Sequence, residues 1–163
     1  MTDGDLDDVT VFLMGDDPTL LQEIALGFVR AGTQRIGIAC PDESSASAAA
    51  TAAFRAASGI WAVPASGDLV SAPDAERIVA ELTASLGDPD IIVLGTADLE
   101  HMARSLGEST REHPVVIRID DEATDSHETD QALGVALRPG VAIGEIAADV
   151  VRGAATMVRR RTS

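Results

Sequence analysis

The chain predicts an α/β architecture, a three-layer sandwich in which helices cover both faces of a mainly parallel sheet of five to six strands. Three observations predict it. Short apolar runs alternate with longer segments of helical periodicity along the chain. The apolar runs are nearly unbroken, as parallel strands buried on both faces require. Gly and Pro punctuate segment ends, as at Pro18, Gly32 and Pro73.

Each element has its own reason. Residues 1–8 are polar and acidic, and are expected to be a disordered N-terminus ahead of one domain over residues 9–158. Val9 to Met14 is the first apolar run and the first strand. Pro18 opens a helix with Leu21, Ile24, Ala25 and Phe28 at helical spacing, and Gly32 stops it. Arg35–Cys40 is the second strand, and the Ala-rich stretch from Glu43 to Ala57 is helical by propensity. Ile60–Val63 is a third, short strand. From Pro73 to Leu86 the chain is amphipathic, with Ile78, Val79, Leu82 and Leu86 on one side. Asp90–Gly95 reads as a strand, Ala97–Glu112 as a helix, and Pro114–Ile119 as a strand. An acidic loop from Asp120 to Asp130 follows. Leu133–Leu137 is a sixth strand. A long helix from Val141 to Arg160 carries the stripe Ile143, Ile146, Ala147, Val150, Ala154 and Met157. Residues 159–163 form a basic tail, whose Arg159-Arg160-Arg161 run suits the end of a helix.

Composition narrows the function. The formal charge is −15, all twelve basic residues are Arg, and the chain contains no Lys, Tyr or Asn. A nucleic-acid partner is disfavoured, because a binder must supply cations that displace phosphate counterions. An anionic membrane surface is disfavoured for the same reason. The acidic opening is unlike a signal peptide, so a cytoplasmic location is expected. The single Cys40 excludes an internal disulfide and a multi-cysteine metal site.

Four landmarks, in order, give the stretch from Val9 to Ala97 a resemblance. Val11-Phe12-Leu13-Met14-Gly15 is followed by the helix segment that ends Val29-Arg30-Ala31-Gly32. Next comes Arg35-Ile36-Gly37-Ile38-Ala39. Then Gly67-Asp68-Leu69 precedes Asp74-Ala75-Glu76-Arg77-Ile78-Val79. Last is Leu86-Gly87-Asp88-Pro89-Asp90-Ile91-Ile92-Val93. This ordered set resembles the N-terminal, cofactor-binding Rossmann half of the short-chain dehydrogenase/reductase family. The resemblance implies a Rossmann-like sheet and, in an active member, NAD or NADP. The positions it matches to cofactor binding are Gly15 in the first turn, Asp42 near the ribose and Asp68 near the adenine, all three vestigial here.

At those positions the pattern breaks. The family turn reads T-G-x-x-x-G-x-G, and its glycines let backbone N–H groups approach a pyrophosphate at a helix N-terminus. Here the stretch is Met14-Gly15-Asp16-Asp17-Pro18-Thr19-Leu20-Leu21. Two carboxylates stand where a pyrophosphate would sit, each costing about 1 kcal/mol or more at contact distance. Leu21 replaces the third Gly and is expected to hinder close approach. The ribose-selecting position offers Cys40-Pro41-Asp42, and the family's N-N-A-G is replaced by Leu94-Gly95-Thr96-Ala97. The family's catalytic Tyr, Lys and Asn have no counterpart, and the resemblance implies a longer C-terminal half than follows Ala97.

Other chemistry is weaker. The Gly15–Leu21 stretch resembles the acidic turn of a receiver domain, but Trp61–Ser66 supplies no acceptor Asp and no Lys exists. His101, His113 and His127 lie on three separate segments, and the Asp120–Asp130 stretch lacks the Gly and ligand rhythm of a calcium loop. Cys40 beside a buried strand is expected to be a small apolar residue. No catalytic residue and no metal site is expected. The reading is a degenerate, non-catalytic dehydrogenase-like protein that works by association, as a homodimer or in a hetero-complex with a full-length reductase. Leu99, Met102 and Leu106 form its expected interface stripe, and no cofactor is expected. The alternatives are a small-molecule-binding Rossmann module and an oxidoreductase with an unconventional NAD(P) site.

Overall fold

A computed structural model describes residues 9–69, 71–94, 115–120, 132–136 and 143–162 of the chain. Six strands, β1 (Thr10–Met14), β2 (Arg35–Cys40), β3 (Trp61–Ser66), β4 (Ile91–Leu94), β5 (Val115–Asp120) and β6 (Ala132–Ala136), form one sheet in the order β3-β2-β1-β4-β5-β6. Every pairing is parallel. Helices α1 (Pro18–Arg30), α2 (Glu43–Ala56), α3 (Ala72–Leu86) and α4 (Ile143–Thr162) flank it. The predicted three-layer, parallel architecture is therefore the observed one. The helix expected over Ala97–Glu112, the three histidines and the greater part of the acidic loop lie outside the described residues, as do residues 1–8.

Two cores sit on the two faces of the sheet. On one, α1 and α2 pack beside each other, and α4 packs on α1 and against β5 and β6. Ile36, Ile38, Val11, Leu13, Ile91 and Val93 point into this face and meet Leu21, Ile24, Phe28, Ala49, Ala53 and Val150. On the other, Phe12, Met14, Ile92 and Leu94 meet Ile78, Val79, Leu82 and Leu86 of α3. Alternation along each strand sends successive side chains to opposite cores. Both cores are apolar, so the unbroken runs in the sequence have the cause inferred for them. Gly37 on β2 makes the second core possible. A Cβ there would sit 3.1 Å from Leu82 Cδ2, 3.1 Å from Phe12 Cδ1 and 3.2 Å from Leu86 Cδ1, so any side chain would push α3 outward.

Polar contacts set the register of the central pair. Thr10 N–H donates to Asp90 Oδ2 at 2.9 Å, and Asp90 N–H donates to Thr10 O at 2.9 Å. The two bonds clamp the entry of β4 against that of β1.

Most element bounds fall within a residue or two of expectation, and β3 departs furthest. β3 runs on through Pro64 to Ser66, three residues beyond the expected Val63. Trp61 N–H donates to Gln34 O, and Gly67 N–H to Cys40 O. Residues 61, 63, 65 and 67 thus turn their amides toward β2, and Pro64 faces the outer edge, where its missing N–H costs no ladder bond. At the far end, α4 continues to Thr162 and includes the Arg159-Arg160-Arg161 run, which was expected at the end of a helix.

Candidate functional site

The carboxyl ends of β1, β2 and β3 lie side by side, because these three strands are neighbours in the sheet. Adjacent strands are roughly 4.8 Å apart, so the turns after Met14, Cys40 and Ser66 form one edge. Gly15, Asp42 and Asp68, the three positions matched by resemblance to cofactor binding, all fall there. The fold brings them together, but their polar groups are engaged with the chain itself.

Gly15 is buried, and its N–H donates to Ala39 O at 3.2 Å, extending the β1–β2 ladder by one residue. Asp16 and Asp17 follow, both exposed. Asp17 is extended and forms the N-cap of α1, and its Oδ1 accepts from Leu20 N at 3.2 Å. Pro18 then occupies the first helical position, where an N–H is not needed. A helix N-terminus offers unsatisfied N–H groups and a positive dipole end to an anion. Here the anion is the chain's own carboxylate. Asp17, expected from sequence only as a repulsive charge, is thus a helix cap, and an Asp directly before a Pro is the signal for it.

Leu21 requires a correction. It is 1% exposed and packs in the α1 core with Ile24, Ala25 and Phe28. Its side chain points toward the sheet, away from the space outside the turn. It therefore fills the helix–sheet gap and is no direct obstacle at the turn.

Asp42 repeats the device on β2. It is the N-cap of α2, with Oδ2 accepting from Ser45 N at 3.0 Å and from Ser45 Oγ at 2.9 Å. Its carboxylate is thus turned onto α2 rather than held out for a ribose. Asp68, after β3, uses its backbone N–H to reach Asp74 Oδ2 at 2.8 Å. Arg77 completes this turn: Nη2 donates to Ser66 O at 2.9 Å, and Nη1 pairs with Glu81 at 3.1 Å. Gly67 has φ +156°, a backbone conformation that L side chains rarely adopt, and a Cβ there would also crowd the Arg77 guanidinium.

Cys40 ends β2 among these acids. Burial pushes its thiol up to about 11, and the charges of Asp42, Asp16 and Asp17 add to the shift. The thiolate is the reactive form of cysteine, so at neutral pH Cys40 is an inert core residue, as expected from sequence. Among the described residues no group of three or more His, Cys, Asp or Glu could hold a metal ion. No helix among them is long and apolar enough to cross a membrane. The proposed interface residues Leu99, Met102 and Leu106 lie outside the described residues.

The fold defines the class first: strand order 3-2-1-4-5-6 with right-placed helices on both faces is the Rossmann arrangement. Comparison with solved structures then gives the particular variant. A short-chain oxidoreductase from Pseudomonas aeruginosa, described as containing an atypical catalytic centre, superposes with a TM-score of 0.64 at 13% identity, over 91% of this chain and 62% of that one. An NAD+-bound xylitol dehydrogenase gives 0.64 at 12% identity, over 91% and 61%. A short-chain dehydrogenase/reductase from Serratia marcescens gives 0.58 at 16% identity, over 91% and 66%. The chain thus has the fold of the N-terminal Rossmann half of short-chain dehydrogenases/reductases, and spans less than two thirds of the length of each of these three structures. No protein-family model matches the sequence, and no curated protein does.

Proposed function

We propose that this chain is a non-catalytic, dehydrogenase-like protein that acts through association, as a homodimer or as partner of a full-length reductase. The observation that carries the reading is Asp17 at the N-terminus of α1. A bound pyrophosphate would have to displace this carboxylate from Leu20 N and settle beside Asp16 and Asp17. The N–H of Gly15 is committed to Ala39 O, so the turn has lost a further donor. The residues at this edge do not fit a dinucleotide, and no Tyr, Lys or Asn stands anywhere in the chain to perform the family's proton transfer.

A Rossmann sheet without its cofactor turn is left with its surfaces. Association through the Leu99, Met102 and Leu106 stripe is the role proposed for it. The test is calorimetry with NADH and NADPH, paired with light scattering. No binding tighter than the millimolar range is expected, together with a dimer or a complex with the reductase that Leu99→Arg/Leu106→Arg dissociates. A micromolar dissociation constant for either nucleotide would overturn the reading, and so would a clean monomer that no reductase binds.

A further inference from the structure

Helix α2 is the outermost helix of its layer. It packs on β2, β3 and α1, and α1 has α4 on its other side. Its buried side consists of Ala46, Ala49, Ala50 and Ala53. Glu43, Ser44, Ser47, Thr51, Phe54 and Arg55 are exposed, and their helical spacing places them on one stripe.

The outer faces of the other helices are charged along their length. On α3 and α4 those charges pair within one helix, as Arg77–Glu81 and Arg152–Asp149. On α2 the only charges are Glu43 in the first turn and Arg55 in the last. Residues 44–54 contain none, in a chain that is 24% charged, so nothing along the middle of this face resists contact. At 1.5 Å per residue Glu43 and Arg55 stand about 18 Å apart, too far to meet each other. Neither forms a salt bridge among the described residues. Phe54, next to Arg55, is 61% exposed. The helix dipole accounts for an acid at the start and a base at the end. It gives no reason for a Phe in solvent or for an uncharged face between them.

We infer that α2 pairs with α2 of a second copy of this chain, antiparallel about a two-fold axis. A two-fold contact must be self-complementary, and this stripe is. With the axis at the middle of the helix, Glu43 meets Arg55 of the second copy, Ser44 meets Phe54, and Ser47 meets Thr51, each pair twice. Two ion pairs close the ends, and each Phe54 ring settles over the small Ser44 opposite. Ser47 and Thr51 between them let the helices approach to the roughly 8–10 Å of ordinary helix packing. A parallel pair would set Glu43 beside Glu43 and Arg55 beside Arg55, so charge selects the antiparallel one. One helix from each copy is a small contact, so the dimer is weak and depends on concentration. It rests on the association reading above and gives that reading a second surface, one without Leu99.

The test is sedimentation velocity over a concentration series at low salt, on the native chain and on Leu99→Arg/Leu106→Arg. In the latter the Leu99 stripe is disabled, so the weak self-association expected to remain at high concentration belongs to α2. Introduced into it, Phe54→Ala, Arg55→Glu and Glu43→Arg should each raise the dissociation constant at least about tenfold. Added salt should raise it as well. An equimolar mixture of the Arg55→Glu and Glu43→Arg proteins should dimerise again, because each copy then meets the opposite sign at both ends. Circular dichroism on each variant confirms that it is folded. Association that Arg55→Glu leaves unchanged overturns the inference, and so does a mixture no tighter than its parts. A Leu99→Arg/Leu106→Arg protein that is monomeric at every concentration overturns it too, and leaves association through the Leu99 stripe in place. Micromolar nucleotide binding, by contrast, would defeat the non-catalytic reading and leave the α2 dimer standing.

Discussion

The strand β4 and the turn after β1 both lie in stretches with the same family resemblance, yet they have kept different things. At β4 the resemblance falls on a packed element: Asp90 clamps Thr10, and Ile91 to Leu94 are all buried between the two cores. The turn retains Gly15 alone. The difference follows from what each residue answers to. A β4 side chain is held by packing on both faces, and any change of shape is felt there whatever the protein does. A turn residue is exposed and answers to its ligand. Asp17 caps the start of α1 from within the chain.

The sharpest way to break that comparison is a charge in β4. Ile92 is 0% exposed on the α3 face, and Ile92→Asp should cost more than about 4 kcal/mol, enough to unfold the domain in urea titration. A folded Ile92→Asp protein would mean that packing does not hold β4. Next in size is the pH response of Cys40. The folded thiol titrates near 11, above the 9.0 of an exposed cysteine. The unfolded chain therefore releases its proton first as pH rises. The stabilisation is full below pH 9 and is lost between about 9 and 11, at most on the order of 3 kcal/mol. Denaturation midpoints across that window should fall in the native protein and fall less in Cys40→Ala. Asp90→Ala removes the acceptor for Thr10 N–H and should cost about 1–2 kcal/mol, seen as a lower urea midpoint. Smallest is Asp17→Ala, about 1 kcal/mol by the same measurement, the ordinary value of an N-cap. If Asp17→Ala cost nothing, the turn would owe its carboxylate to something other than α1.

Much of the fold was legible because its signals are local. The bounds Arg35–Cys40 for β2 and the start of α2 at Glu43 follow from an apolar run and from Asp42 ahead of an Ala-rich stretch. The extent of β3 was not legible, since a Pro usually ends a strand and only the edge position of β3 makes Pro64 harmless. The absence of the turn glycines was plain in the sequence, but the use of the two acids was not weighed. The burial of Leu21 was in fact available, since it shares a helical stripe with Ile24, Ala25 and Phe28. The Asp74 and Arg77 contacts at the β3–α3 turn, and the Asp90 clamp, join residues that no periodicity relates.

The strand order carries a consequence for how the chain is made. Strands β1 to β3 emerge first and are laid down in one direction, each new strand beside the last. β1 keeps an open flank on its other side until β4 has left the ribosome, with Val11, Phe12, Leu13 and Met14 beside it. Until then that flank presents unpaired backbone N–H and C=O groups, an edge open to wrong pairing. Asp90 arrives just ahead of Ile91, and its two bonds to Thr10 choose the alignment at the moment of closure. A slip of one residue there would turn every β4 side chain to the wrong face. The later half of the sheet thus inherits its register from a pair of residues that meet only after most of a hundred others have been synthesised.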